Sequence, residues 1–184
     1  MKSTENCKHV ISISLGSSTR DAQAVLRLGD RGVIVERRGT DGDFGKARRL
    51  MEQWDGKADA IGLGGTDLYV CAGAKRYVFR ESAKLIENVR KTPVLDGSGL
   101  KNTLERKLIR KLASEGKIPI KGSKVLLVCA VDRFGMAEAL QEAGAEVTFG
   151  DLIFGLNIDK PLYSLKSLGW WAELLAPLIT KLPV

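Results

Sequence analysis

The chain has 184 residues, 44% of them hydrophobic and 28% charged, the balance of a folded protein with one sizeable core or one domain and part of another. No run approaches the roughly 18 apolar residues of a membrane span, and the polar start Met1–Lys8 lacks the apolar core of a secretory signal, so the expected compartment is the cytoplasm. The net charge of +7, from 29 basic and 22 acidic residues, is interleaved with acids and carries no aromatic-rich basic stripe. That argues against nucleic acid and fits a small anionic metabolite or nucleotide as partner, with no membrane.

Cys7, Cys71 and Cys129 are too widely spaced for a CxxC pair or a disulfide framework, and His9 is the only histidine. No metal site of the usual Cys/His kind is therefore expected. A Ser-His-Asp arrangement would rest wholly on His9, which reads as solvent-exposed at a strand entrance.

In chain order, residues 9–15 (HVISISL) alternate apolar and polar as a strand. Residues 22–28 and 32–36 are two more strands around the turn Gly29-Asp30-Arg31-Gly32, giving a hairpin or a three-stranded meander. A polar loop, residues 39–43, precedes a helix with Phe44, Ala47, Leu50, Met51 and Trp54 on one face. Residues 58–63 form a short strand ended by Gly64-Gly65-Thr66-Asp67; residues 68–78 fit a strand pair or a helix. A helix over 81–90 turns Leu85, Ile86 and Val89 inward, and a strand over 92–95 ends at Asp96-Gly97-Ser98-Gly99.

The next helix carries Leu100, Leu104, Leu108, Ile109 and Leu112 on its expected apolar face, with Arg106, Lys107, Arg110 and Lys111 solvated. After a connection rich in Pro119 and Gly122, the run KVLLVCA (124–130) reads as a strand covered on both faces. A helix over 134–143 and a strand over 145–149 complete a βαβ unit. The expected fold is therefore α/β, a mixed-sheet N-terminal part followed by a partial Rossmann-like parallel βαβ unit. The domains are read as 1–118, an α/β domain that could bind substrate, and 119–184, a partial Rossmann-like nucleotide-binding region.

Four strand-end loops could carry chemistry. In the first, Asp96 to Thr103, two glycines free the backbone and a helix opens with Lys101, Asn102 and Thr103 in its first turn. The unpaired N–H groups of a helix start, joined by a lysine, favour an anion; a helix cap on Ser98 is the plain alternative. In the second, Gly62 to Asp67, the carboxyl end of a strand presents Asp67, which would share a crevice with Asp96, Lys101, Asn102 and Asp132 if the strands are parallel neighbours. In the third, Ala130, Asp132 and Gly135 fall where a GxGxxG fingerprint has its glycines, and only the last matches. Arg133 could grip a pyrophosphate there and Asp151 could meet a ribose hydroxyl, although a plain packing turn fits as well. In the fourth, Ser14 to Thr19 could cradle a phosphate. It resembles the start of an actin-like ATPase domain, without the acidic residue of that loop.

Taken together, IGLGGTDLYV (61–70), TPVLDGSGLKNTLER (92–106), VLLVCAVDRFGMAEAL (125–140) and FGDLIFGL (149–156) resemble a bacterial family of predicted quinate/shikimate 5-dehydrogenases. The resemblance spans roughly residues 9 to 160. It implies an NAD- or NADP-dependent oxidoreductase acting on a hydroxylated carboxylate, with Lys101 and Asp96 or Asp67 as the catalytic pair. A rival from another class is a non-catalytic domain that binds an anionic metabolite or nucleotide through the same loops, or an assembly subunit. Finally, Leu165, Leu168, Trp170, Trp171, Leu174, Leu175, Leu178, Ile179 and Leu182 make the C-terminal segment too apolar for a free tail. With only one βαβ in view, the chain is expected to be incomplete as a catalytic unit: a homo-oligomer, or a chain with a missing C-terminal region.

Overall fold

The computed structural model describes residues 7–72 and 75–181. Leu182 and residues 1–6 of the polar start lie outside the described residues. The chain forms two compact units, the first from residues up to 68 and 79–97, the second from 69–78 and 98 onward.

The first unit begins with β1 (Cys7–Ser14), then β2 (Ala22–Leu28) and β3 (Arg31–Gly39). β2 and β3 are antiparallel, with Leu28 opposite Arg31, so Gly29 and Asp30 form a two-residue turn and Gly29 adopts φ +62°. The expected hairpin is present, but the meander is not. β1 pairs with β3 in parallel over its whole length, from Cys7 opposite Gly32 to Ser14 opposite Gly39. The reason is burial. Ile11 and Ile13 on β1 are fully buried, which a central strand permits, whereas every residue of β2 is exposed, as an edge strand allows.

Helix α1 (Phe44–Trp54) follows, capped by the Asp43 carboxylate, which accepts the Lys46 N–H at 2.8 Å. It buries Ala47 and Met51, with Phe44, Leu50 and Trp54 packed beside them. β4 (Ala60–Gly64) lies parallel to β1 on the side away from β3. Residues 68–78 resolve as a strand pair, β5 (Tyr69–Ala72) and β6 (Lys75–Val78), which belongs to the second unit. The chain then returns through α2 (Arg80–Ile86), shorter than the expected 81–90, to β7 (Val94–Leu95), parallel to β4. The sheet order is β2-β3-β1-β4-β7, parallel except for β2. His9 is not the solvent-exposed residue expected from sequence. Its ring meets Trp54 edge-on at 5.0 Å, and Nε2 lies 3.2 Å from the buried Glu36 carboxylate.

The second unit opens with the short α3 (Ser98–Leu100), which runs through a π-helical stretch, Lys101–Glu105, into α4 (Arg106–Ser114). β8 (Lys124–Leu127), α5 (Phe134–Glu142) and β9 (Glu146–Phe149) form the expected parallel βαβ unit. A second π-helical turn, Asp151–Gly155, and α6 (Leu165–Ile179) follow. Phe149, Ala137, Leu168 and Ala130 centre the core, with Ile109 of α4 and Tyr77 of β6 packed against it. On α6, Leu168, Ala172 and Ala176 face in, whereas Trp170, Leu174 and Leu178 remain exposed. Part of the C-terminal apolar surface is thus covered within the unit and part is not.

Two expectations about the second unit need correction. β8 is covered on one face only: Leu126 and Val128 are about half exposed, because the core of this unit packs against the face that carries Leu127. The helix from 98 to 114 is also turned. Leu100, Leu104 and Leu108 point to solvent at 61%, 56% and 49% exposure, and a charged face meets α5 instead. Lys101 pairs with Asp132, Glu105 with Arg133, Arg106 with Glu138 and Arg110 with Glu142. Each charge meets its opposite, and leucines in their place would leave the charges on and before α5 uncompensated. These pairs also tie residues 98–114 to α5, so the units divide at Gly97 and Ser98, not at the expected 118/119.

Candidate functional site

In the first unit, β1, β3, β4 and β7 run in parallel, so the loops after them open on one edge of the sheet. From β1 the chain moves on to β3; from β4 it moves the other way, to β7. The gap between the ends of β1 and β4 is therefore a topological switch point, where connections diverge and open α/β sheets leave a crevice. Gly16 and Gly65 flank it. Gly65 adopts φ +78° and comes so close to the β1 loop that a Cβ would sit 3.2 Å from the Gly16 nitrogen.

The β1 and β3 loops are laced together by backbone bonds. The N–H of buried Thr40 reaches Ser14 O at 2.9 Å, and the Gly42 N–H reaches Leu15 O at 2.8 Å. Asp41 holds φ +54°, a conformation that a non-glycine residue adopts at a cost, and its carboxylate accepts the Ser18 N–H at 2.7 Å. That bond lowers the Asp41 pKa below the ordinary carboxylate value. Asp21 accepts the Gly39 N–H at 2.5 Å and the Arg37 guanidinium at 3.1 Å. Of the residues expected here, Asp96 accepts the Leu68 N–H at 2.8 Å and so anchors the loop in which Asp67 lies. The neighbouring Thr66 hydroxyl meets that of Ser82 at 2.7 Å.

The other expected residues belong to the second unit. Ser98 is buried at the start of α3, and the Thr103 hydroxyl donates to Gly99 O at 2.6 Å, so it serves its own helix. Lys101 donates to Asp132 at 2.7 Å, with both side chains about one-fifth exposed. Asn102 stands next in the π-helical stretch, and its carbonyl would lie 3.4 Å from a Cβ on Gly135. Gly135, the one match to the glycine fingerprint, thus lets that stretch and Arg106 approach α5 closely. Arg133 is held by Glu105.

Asp151 follows β9 and accepts the Val131 N–H through Oδ1 at 2.8 Å, so it ties the ends of β8 and β9 together. Its Oδ2 is buried without a partner among the described residues, and burial raises its pKa, the Asp132 charge adding to the rise. A pyrophosphate at the start of α5 would therefore compete with two ion pairs already made, Lys101–Asp132 and Arg133–Glu105. An open groove of about 470 Å³ beside β9, lined by Lys124, Gln141, Glu146 and Tyr163 among others, holds none of the expected site residues.

The raised pKa of Asp151 has a sign that can be measured. A carboxyl that binds its proton more tightly when folded adds stability at low pH, and that contribution is lost as pH rises from the unfolded value of about 3.9 through the folded one. Asp151→Asn removes the titration. Its stability relative to the wild type is expected to rise between pH 4 and neutrality in denaturant melts; a difference that is flat or falls with pH contradicts the assignment.

The two units define a mixed α/β protein whose glycine-rich loops gather at strand ends. Comparison with known families agrees with the division. Residues 9–96 match a domain of unknown function (DUF8753), and residues 99–184 match a second domain of unknown function (DUF8754). No curated protein matches the chain. Among the described residues, no helix is long and apolar enough to cross a membrane.

Sequence reasoning picked out the loop of Ser14–Thr19 but missed Arg20, Arg37 and Asp41 as its neighbours. Only the parallel register of β1 and β3 brings Arg37 opposite Ser12 and within reach of that loop. No local spacing signals it.

Proposed function

We propose that this chain binds a small anionic metabolite or nucleotide at the carboxyl edge of the first unit's sheet. The observation that carries the reading is the switch point between β1 and β4, where Gly16 and Gly65 let the loops after the two strands meet closely at the carboxyl edge of the sheet. A protein of net charge +7 favours anions at long range.

A second reading, an NAD- or NADP-dependent oxidoreductase acting on a hydroxylated carboxylate of the quinate/shikimate type, draws on the Lys101–Asp132 pair. A lysine in contact with an aspartate, both about one-fifth exposed, offers an ammonium to hold a substrate hydroxyl and a carboxylate to accept its proton. Lys101 would hold that hydroxyl and Asp132 would take its proton as the hydride leaves. A nicotinamide, when bound, would supply the hydride acceptor.

Calorimetric titration with NADP, NAD, ATP and shikimate separates the two. The binding reading expects saturable, roughly micromolar association (about −8 kcal/mol) with at least one nucleotide, kept by Lys101→Met. The oxidoreductase reading expects dinucleotide reduction with a hydroxy acid, lost by about a hundredfold or more in Lys101→Met. No saturable binding by any of the four counts against both.

A further inference from the structure

We infer that Gly16, Arg20 and Arg37 form a cradle for a phosphoryl group in the loop after β1. This inference rests on the ligand-binding reading above and names the part of the ligand that the first unit grips. A Cβ built on Gly16 would stand 2.8 Å from Nη2 of Arg20 and 3.1 Å from Nη2 of Arg37. The two guanidinium nitrogens, from the turn Ser18–Arg20 and from β3, therefore lie within about 6 Å of each other, on either side of a residue with no side chain.

Like charges gathered around one point repel unless an anion lies between them. Arg37 is committed through Nη1, which donates to Ser17 O at 2.9 Å and to Asp21 at 3.1 Å; its Nη2 makes no hydrogen bond among the described residues. Arg20 is exposed, its backbone N–H donates to Ser17 O at 3.4 Å, and its guanidinium makes no hydrogen bond or ion pair among the described residues. Asp21 thus fixes the direction of Arg37 and leaves one donor of its fork for a ligand.

The hydroxyls beside the two arginines point to a phosphoryl group in preference to a carboxylate. Ser17 Oγ and Thr19 Oγ1 lie 2.9 Å apart in the same turn, and Ser14 Oγ would be 3.3 Å from a Cβ on Gly16. A tetrahedral oxyanion with three or four acceptor oxygens can use two guanidinium forks and several hydroxyls together, where a planar carboxylate has two oxygens to share. A side chain at Gly16 would push against both guanidiniums and displace them from the cradle. The Gly16 N–H is already turned to Ser14 Oγ at 3.1 Å, so the grip comes from side chains and not from a nest of amides.

The test uses the full chain, labelled with nitrogen-15, titrated separately with inorganic phosphate, pyrophosphate and acetate. Saturable amide shifts confined to Gly16–Arg20 and the end of β3 are expected with phosphate and larger with pyrophosphate. Arg20→Ala, which breaks no bond of the fold, should weaken that binding about tenfold, the loss of one charge-assisted contact of roughly 1.4 kcal/mol. Arg37→Lys, which keeps the charge facing Asp21 but removes the second fork, should weaken it similarly. No saturable shift at tens of millimolar phosphate overturns the inference, as does an unchanged affinity in Arg20→Ala. Equal shifts from acetate overturn the phosphoryl assignment. If a nucleotide binds the chain while phosphate leaves Gly16–Arg20 unmoved, the cradle fails and the ligand-binding reading stands. If phosphate binds as stated and no metabolite does, the reverse holds.

Discussion

Phe149→Ala is expected to destabilise the second unit by about 3–5 kcal/mol, the usual cost of emptying a fully buried aromatic position. Phe149 ends β9 with no exposed surface and packs into the cluster of Leu127, Ala130, Phe134, Leu152, Leu162 and Leu168. Its backbone also exchanges hydrogen bonds with Leu162, at 2.7 and 3.1 Å, which fastens the segment leading to α6 against β9. The neighbours come from β8, α5 and α6 and from the segments between them, so they cannot collapse into the space without moving whole elements. Hydrogen exchange at the amides of β8, β9 and α5 reads the effect directly. Protection there should fall by two orders of magnitude or more, in line with the cost stated. A fall of less than tenfold, about 1.4 kcal/mol, would mean that this cluster is not what holds the second unit together.

Gly39→Ala is the counterpart in the first unit, and it bears on the ligand site. Gly39 ends β3 in a conformation that any residue can adopt, so backbone freedom is not the issue. Space is. A Cβ there would lie 2.5 Å from the carbonyl carbon and oxygen of Ser17 and 2.6 Å from the Ser18 nitrogen. All three are backbone atoms, which cannot rotate away as the tip of a side chain could. Relief requires the β1 loop to move, and with it the Gly39 N–H bond to Asp21 and the Arg37 bond to Ser17 O. Overpacking of this kind costs about 1–3 kcal/mol, and here the loss of a charge-assisted hydrogen bond adds to it. The substitution should lower the melting temperature and displace the amide signals of Ser17 and Ser18. Gly169→Ala in α6, where nothing lies within 4 Å of the added carbon, serves as a control and should be neutral or stabilising. Equal melting temperatures for the two variants would sink the argument that β3 and the β1 loop are locked at Gly39.

The sequence by itself determined the α/β class and most of the element list. The alternation in β1, the three- and four-residue spacing of α1, the Gly29-Asp30 turn and the parallel β8-α5-β9 unit are all local patterns, and each is present. It also placed Ser14–Thr19 and Gly64–Asp67 in loops after strands, because glycine and hydroxyl residues mark strand ends without reference to the rest of the chain. What it left open depends on partners distant in sequence. Whether β1 joins a meander or lies parallel to β3 is set by which arrangement buries Ile11 and Ile13, and no window of the chain contains that comparison. Which face of residues 98–114 turns inward was misread because leucine spacing alone favours Leu100, Leu104 and Leu108. Asp132, Arg133, Glu138 and Glu142, some 30 residues further on, reward the charged face instead. The convergence of Arg20 and Arg37 on Gly16 has the same origin. One arginine comes from the turn after β1 and the other from β3, and they meet because parallel pairing sets Arg37 opposite Ser12. Periodicity reports the surface each element presents, but only the pairing of elements decides what that surface meets.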